Sequence, residues 1–192
     1  MKTFRWIILA LVLVLAAAGF NTALADEYSD TVDIFAKSDA VKPFLKNAYG
    51  YAVFPMVGKG GFVVGGSYGS GQVVARGKVT GTAKLVKATI GLQAGGQAFS
   101  QMIFFQDKRA YDEFTSGSFE LGADATVVAI TAGAQAIAGT GGASAGVSAG
   151  PATAKQAPTN YHKGMAVFIH AKGGLMYEAA VGGQKFSFEP SK

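Results

Sequence analysis

One arrangement in the chain has the spacing of an activated nucleophile. Gly146-Val147-Ser148-Ala149-Gly150 matches the G-x-S-x-G elbow, in which a serine sits on a sharp turn between a strand and a helix. That chemistry needs an acid and then a histidine further along. No Asp or Glu lies between Ser148 and either His162 or His170. The surrounding run is so rich in Gly, Ala and Ser that composition alone produces such a match. Two histidines and no cysteine make a poor metal-ligand set. No Walker A loop or complete dinucleotide fingerprint occurs. The inventory argues against an enzyme and implies no catalytic residue, no metal and no cofactor. His170, in an apolar run, is expected to be a structural or edge residue.

The second chemistry the residues could perform is binding an anion. The chain carries a formal charge of +5. No acidic residue occurs between Asp39 and Asp107, and within that window lie Lys42, Lys46, Lys59, Arg76, Lys78, Lys84 and Lys87. A basic middle favours an anionic partner such as a phospholipid surface or a nucleic acid. The N-terminus favours the first. Met1, Lys2 and Arg5 precede an uncharged run from Trp6 to Ala18, and Ala23-Leu24-Ala25 precedes Asp26. That is the layout of a secretory signal peptide over 1–25. The run is short of the roughly 20 residues that span a bilayer as a helix. Export to a periplasm or medium disfavours nucleic acid. Loss of Lys2 and Arg5 would lower the charge to +3, leaving 26–192 as a single domain.

These side chains need elements to position them. Residues 28–48 show helical spacing in Val32, Phe35, Val41, Phe44 and Leu45, with a break expected near 38, where Ser38 and Asp39 can cap a second helix. From Tyr51 the period becomes two. Gly58-Lys59-Gly60-Gly61 reads as a turn using positive φ, with Phe62-Val63-Val64 returning as a strand and Lys59 at a solvated tip. Gly164 to Phe168, Lys172-Gly173-Gly174 and Leu175-Met176-Tyr177 echo that pattern and predict a second hairpin. Between them, Lys84 to Phe105 reads as strand. Asp107 caps a short helix from Lys108 to Thr115, with Tyr111 and Phe114 inward and Gly117 ending it. Leu121 to Ala138 reads as strand, and the low-complexity stretch near 139–160 as a mobile loop.

"AYGYAVFPMVGKGGFVVGGSYGSG", "IGLQAGGQAFSQMIFF" and "FTSGSFELGADATV" resemble the successive blocks of the SYLF domain family. The resemblance runs from about Tyr28 to Phe188. It implies an α+β domain: a curved antiparallel β-sheet or partly closed barrel, with N-terminal helices and one short internal helix. It also implies membrane-lipid binding, with phosphoinositides and actin as ligands of eukaryotic members and a non-enzymatic lipid-binding role for exported bacterial ones. The basic N-terminal segment of eukaryotic members has no counterpart in the acidic stretch from Asp26 to Asp33. The expected function is therefore adsorption to anionic phospholipid through the seven cations, with Phe44, Phe62 or Tyr68 able to add apolar contact. Two other classes fit the same residues: a structural or protein-interaction module of the envelope, and a small outer-membrane β-barrel.

Overall fold

The computed structural model describes residues 27–121, 127–130, 143–147, 160–181 and 183–191. Two helices lead: α1 over residues 27–36 and α2 over Lys42–Asn47. A long hairpin follows, β1 (Gly50–Ala75) and β2 (Lys78–Phe105). Next come α3 (Lys108–Phe114), β3 (Ser118–Leu121), β4 (Val127–Ala129), β5 (Ala143–Val147), β6 (Met165–Val181) and β7 (Gln184–Pro190). The protein is α+β, with one curved sheet centred on β2. β1 pairs along one edge of β2, while β7 and β6 share the other. β3 adds to β7, and β5 adds to β6, both antiparallel; the short β4 joins β6 in parallel. Among the described residues β1 pairs with neither β3 nor β4, so the sheet stays open.

β1 is 26 residues long and, fully extended, would reach about 85 Å. Its two ends nevertheless meet: Arg76 N–H donates to the Tyr49 carbonyl at 3.1 Å. The strand must therefore double back. A register shift at Pro55-Met56 starts the bend, and a second, between Phe62 and Val64, completes it. Val63 sits there at φ 65°, a left-handed conformation that costs a β-branched residue about 1–3 kcal/mol. Gly61 backs closely onto the Gly65 α-carbon across this corner.

The core explains the sequence runs. Phe54, Ile103, Phe105, Val167, Phe114 and Phe186 pack on one face of the sheet, closed by α3. Their chain neighbours Val53, Met102, Phe104 and Phe168 pack on the opposite face under Phe35 of α1 and Phe44 of α2. Strands buried on both faces read as continuous apolar runs, which is what "YAVF", "QMIFF" and "MAVFI" are.

Several expectations are corrected. Gly58-Lys59-Gly60-Gly61 is not a turn: β1 runs through it, paired with Gly95 to Ala98. Glycine faces glycine there (Gly60 with Gly96, Gly61 with Gly95), so the glycines let a paired ribbon bend without ending it. The reversal lies at Arg76-Gly77, where φ values of 50° and 73° give the two-residue loop that suits strand twist. Lys172-Gly173-Gly174 likewise lies inside the continuous β6, where Lys172 is the extra residue of a bulge between the Ala98–Gly173 and Phe99–Ala171 pairs. α2 begins at Lys42 with Val41, not Ser38 or Asp39, at its N-cap; valine has no side-chain acceptor, so the helix has no side-chain cap, and Pro43 sits in its first turn. The Asp39 carboxylate accepts from Lys42 instead.

The N-terminal helices break as expected, between 36 and 42. α3 also follows expectation: the Asp107 side chain accepts from Ala110 N–H at 2.9 Å, Phe114 is buried, and Gly117 follows at φ 105°. Of the stretch expected as strand from Leu121 to Ala138, Leu121 and Val127–Ala129 are strand, and 122–126 and 131–138 lie outside the described residues. Within 139–160, residues 143–147 pair with β6 and the rest, apart from Asn160, lies outside. The stretch 1–25 also lies outside.

Candidate functional site

The seven cations of the acid-free window do not form one patch. Lys42 and Lys46 stand exposed on α2, one helical turn apart, with Lys42 paired to Asp39 at 2.6 Å. That pairing holds the Asp39 carboxyl below its usual range. Arg76 and Lys78 flank Gly77 at the exposed hairpin turn. Tyr49, just past α2, carries the Arg76 guanidinium 5.1 Å above its ring, a cation–π contact that fixes the side chain in place. Lys108 belongs to the same end. Its bond to Asp112 raises its pKa, and the charge of Arg76 opposes that rise. One end of the molecule thus gathers Arg76, Lys78 and Lys108, with α2 leading into it through Tyr49.

The other three sit elsewhere. Lys84 pairs with Glu189 at 3.1 Å, which raises the lysine's pKa; Tyr68 adds a smaller electrostatic contribution. Lys87 lies on the opposite face of β2 from Lys84, half-buried and in register with Ser67. Lys59 is only 8% exposed. The solvated turn tip expected for it does not exist, because the strand continues and alternation turns the residue inward.

Among the described residues, every large apolar side chain that stands exposed lies in the β1–β2 hairpin: Met56, Phe62, Val63, Val64, Tyr68, Val79, Val86 and Ile90. Of the three residues expected to offer apolar contact, Phe62 and Tyr68 are exposed, while Phe44 is core, edge-on to Tyr161 and Phe168 and tilted against Phe104. The sequence reading missed Val64, Val86 and Ile90. The sequence carries no clean signal for them, since in "KLVKATI" both faces mix apolar residues with a lysine.

Two further features complete the inventory. A cleft of about 350 Å³ lies where α1 meets the hairpin, lined in part by Tyr28, Val32, Asp33, Tyr51, Gln72 and Val79. Burial raises the pKa of both tyrosines. His170 lies in β6 edge-on to Phe35, with its Nδ1 buried and unpartnered. Among the described residues no helix is long and apolar enough to cross a membrane, a statement that does not bear on strands.

A curved, open, largely antiparallel sheet with N-terminal helices and one short internal helix agrees with the α+β architecture implied by the SYLF resemblance. The model of the family described as Las17-binding protein actin regulator (Ysc84), the SYLF domain, matches residues 86–191. The chain belongs to this family, whose relatives are known for binding lipid and actin. It is similar to Beta cell expansion factor A of Aeromonas veronii, at 29% identity over 157 residues, covering 81% of this chain and 51% of that protein. The chain therefore spans about half the length of the curated relative it matches.

Proposed function

We propose that the protein is exported and, without catalysing a reaction, adsorbs to anionic phospholipid surfaces of the cell envelope. The observation that carries this reading is the β1–β2 hairpin. It holds no acidic residue, exposes Arg76, Lys78 and Lys84, and bears the exposed apolar side chains as well. Family membership supports it, since relatives bind lipid. Each lysine or arginine near an anionic leaflet contributes about 1 kcal/mol, screened over a Debye length. Arg76, Lys78, Lys42 and Lys46 are the best placed of the seven, being exposed at or leading into one end. Lys59 is the least accessible.

The test is vesicle sedimentation with anionic and neutral phospholipids across a salt series. Replacing Lys42, Lys46, Arg76 and Lys78 by Gln should weaken anionic binding by up to about 4 kcal/mol, and added salt should do the same to the wild type. Equal binding to neutral and anionic vesicles would overturn the reading. The family description names a protein partner, so a protein-interaction role is the competing class. It predicts capture of an envelope protein in the absence of lipid together with no vesicle binding.

A further inference from the structure

The exposed apolar residues of the hairpin are ordered. The register pairs Val64 with Ile90, Gly66 with Ala88, Tyr68 with Val86, and Ser70 with Lys84. These positions alternate with the inward Ser67, Gly69, Leu85 and Thr89, all buried. They therefore share the outer face of the ribbon. Read from the corner outward, that face begins with Phe62 at 79% exposure, Val64 at 64% and Ile90 at 73%. It continues through Tyr68 and Val86, each about half exposed, and ends at Lys84, one pair further along the same face. Apolar tip, then tyrosine, then lysine is the order in which a surface meets acyl chains, the interface and the headgroups.

The corner is also held in place. Val63 is kept at φ 65°, a conformation a β-branched residue adopts only when its surroundings impose it. Its cost is borne exactly where Phe62, Val63 and Val64 are turned outward. The hairpin itself holds no acid, and the carboxylate beside this face, Glu189 of β7, is paired with Lys84 at 3.1 Å.

Resting on the membrane reading above, we propose that the β1–β2 corner is a shallow insertion element. Phe62, Val63, Val64 and Ile90 enter the acyl boundary of an anionic bilayer, Tyr68 lies at the interface, and Lys84 meets the headgroups. Charge brings the protein to the surface, and the corner anchors it. Depth is limited to the boundary region, as for other interfacial elements, because the outer edge of a strand carries backbone groups that need water.

The only tryptophan of the chain is Trp6, so a single reporter can be placed. In the exported protein, which loses Trp6 with the signal peptide, Phe62→Trp should shift its emission to the blue on anionic vesicles and be quenched by lipids brominated near the headgroup end of the acyl chain. Glu113→Trp in the same background, on exposed α3, should do neither. Phe62→Ser with Ile90→Ser should reduce vesicle partitioning by about tenfold for each residue and remove the binding that survives high salt. Circular dichroism should be unchanged, as both side chains are exposed. Wild-type binding with no blue shift at position 62, or equal partitioning of the double variant, overturns the insertion and leaves surface adsorption standing. No wild-type binding to any vesicle overturns both. A blue shift that grows with protein concentration without lipid would assign the corner to a second copy of the chain instead.

Discussion

His170 shows how a single buried group ties stability to pH. Burial holds its imidazole below the usual histidine range, and the Lys172 charge adds to the effect. In the folded chain the ring therefore stays neutral at pH values where the unfolded chain binds a proton. The sign follows: stability is full above the unfolded value of about 6.5 and declines as pH falls through it toward the folded value. Thermal unfolding of the wild type should show a falling midpoint between pH 7.5 and 5, and His170→Gln should flatten that slope. A slope unchanged by the substitution would assign the pH dependence to other groups. The sequence placed His170 correctly in an apolar strand. Its contact with Phe35 of α1 joins positions far apart in the chain, and spacing carries no information about such pairs.

At the scale of elements, the glycines of β1 separate by what surrounds them. Glycine here was expected to serve positive φ in a turn, yet neither Gly60 nor Gly61 has one. A side chain at Gly61 would strike the Gly65 α-carbon and the Val64 carbonyl, whereas at Gly60 the nearest atom lies at an ordinary 3.6 Å. Gly61→Val should therefore cost on the order of 1–3 kcal/mol by forcing the backbone apart, and Gly60→Val should stay within about 0.5 kcal/mol. Urea midpoints of the two single variants check this, and equal midpoints would show that the corner is not close-packed. α3 was legible because its signals are local: Asp107 caps it, Phe114 faces inward and Gly117 ends it. The false turns at Lys59-Gly60-Gly61 and Lys172-Gly173-Gly174 were not, because glycine has two uses. It reverses a chain, and it lets one paired backbone pass close to another. A sequence read one segment at a time shows the residue but not the second backbone.

At the scale of the molecule, the curved sheet and its helices were legible from the change of period at Tyr51 and from blocks shared with the family. The division of the sheet into two environments was not. Near its closed end both faces are covered and alternation disappears. Past Val57 the inner face alone is covered and alternation returns. Charge counting gave seven cations but not their distribution, because doubling the hairpin back brings Arg76 to Tyr49 while leaving Lys59 and Lys87 along the ribbon. The fold thus keeps the exposed Arg76 and Lys78 at one end and the exposed apolar face toward the bend.

The Arg76-Gly77 loop has a consequence for the order of assembly. It closes the β1–β2 ladder at Ala75 and Lys78, and apart from three register shifts each later pair lies one rung further on until Gly50 meets Phe105. Such a ladder can zip from its loop on the microsecond scale of hairpins. β6 must instead be recruited to β2 across everything from Gln106 to Gly164, a long closure that comes late and is slow. Gly77→Val strains the loop at φ 73° and should cost about 1–3 kcal/mol. That cost should appear in the refolding arm of a chevron, with the unfolding arm nearly unmoved. If only unfolding accelerates, the loop forms after the rate-limiting step. If refolding slows, a two-residue loop sets the pace for a sheet that has seven strands among the described residues.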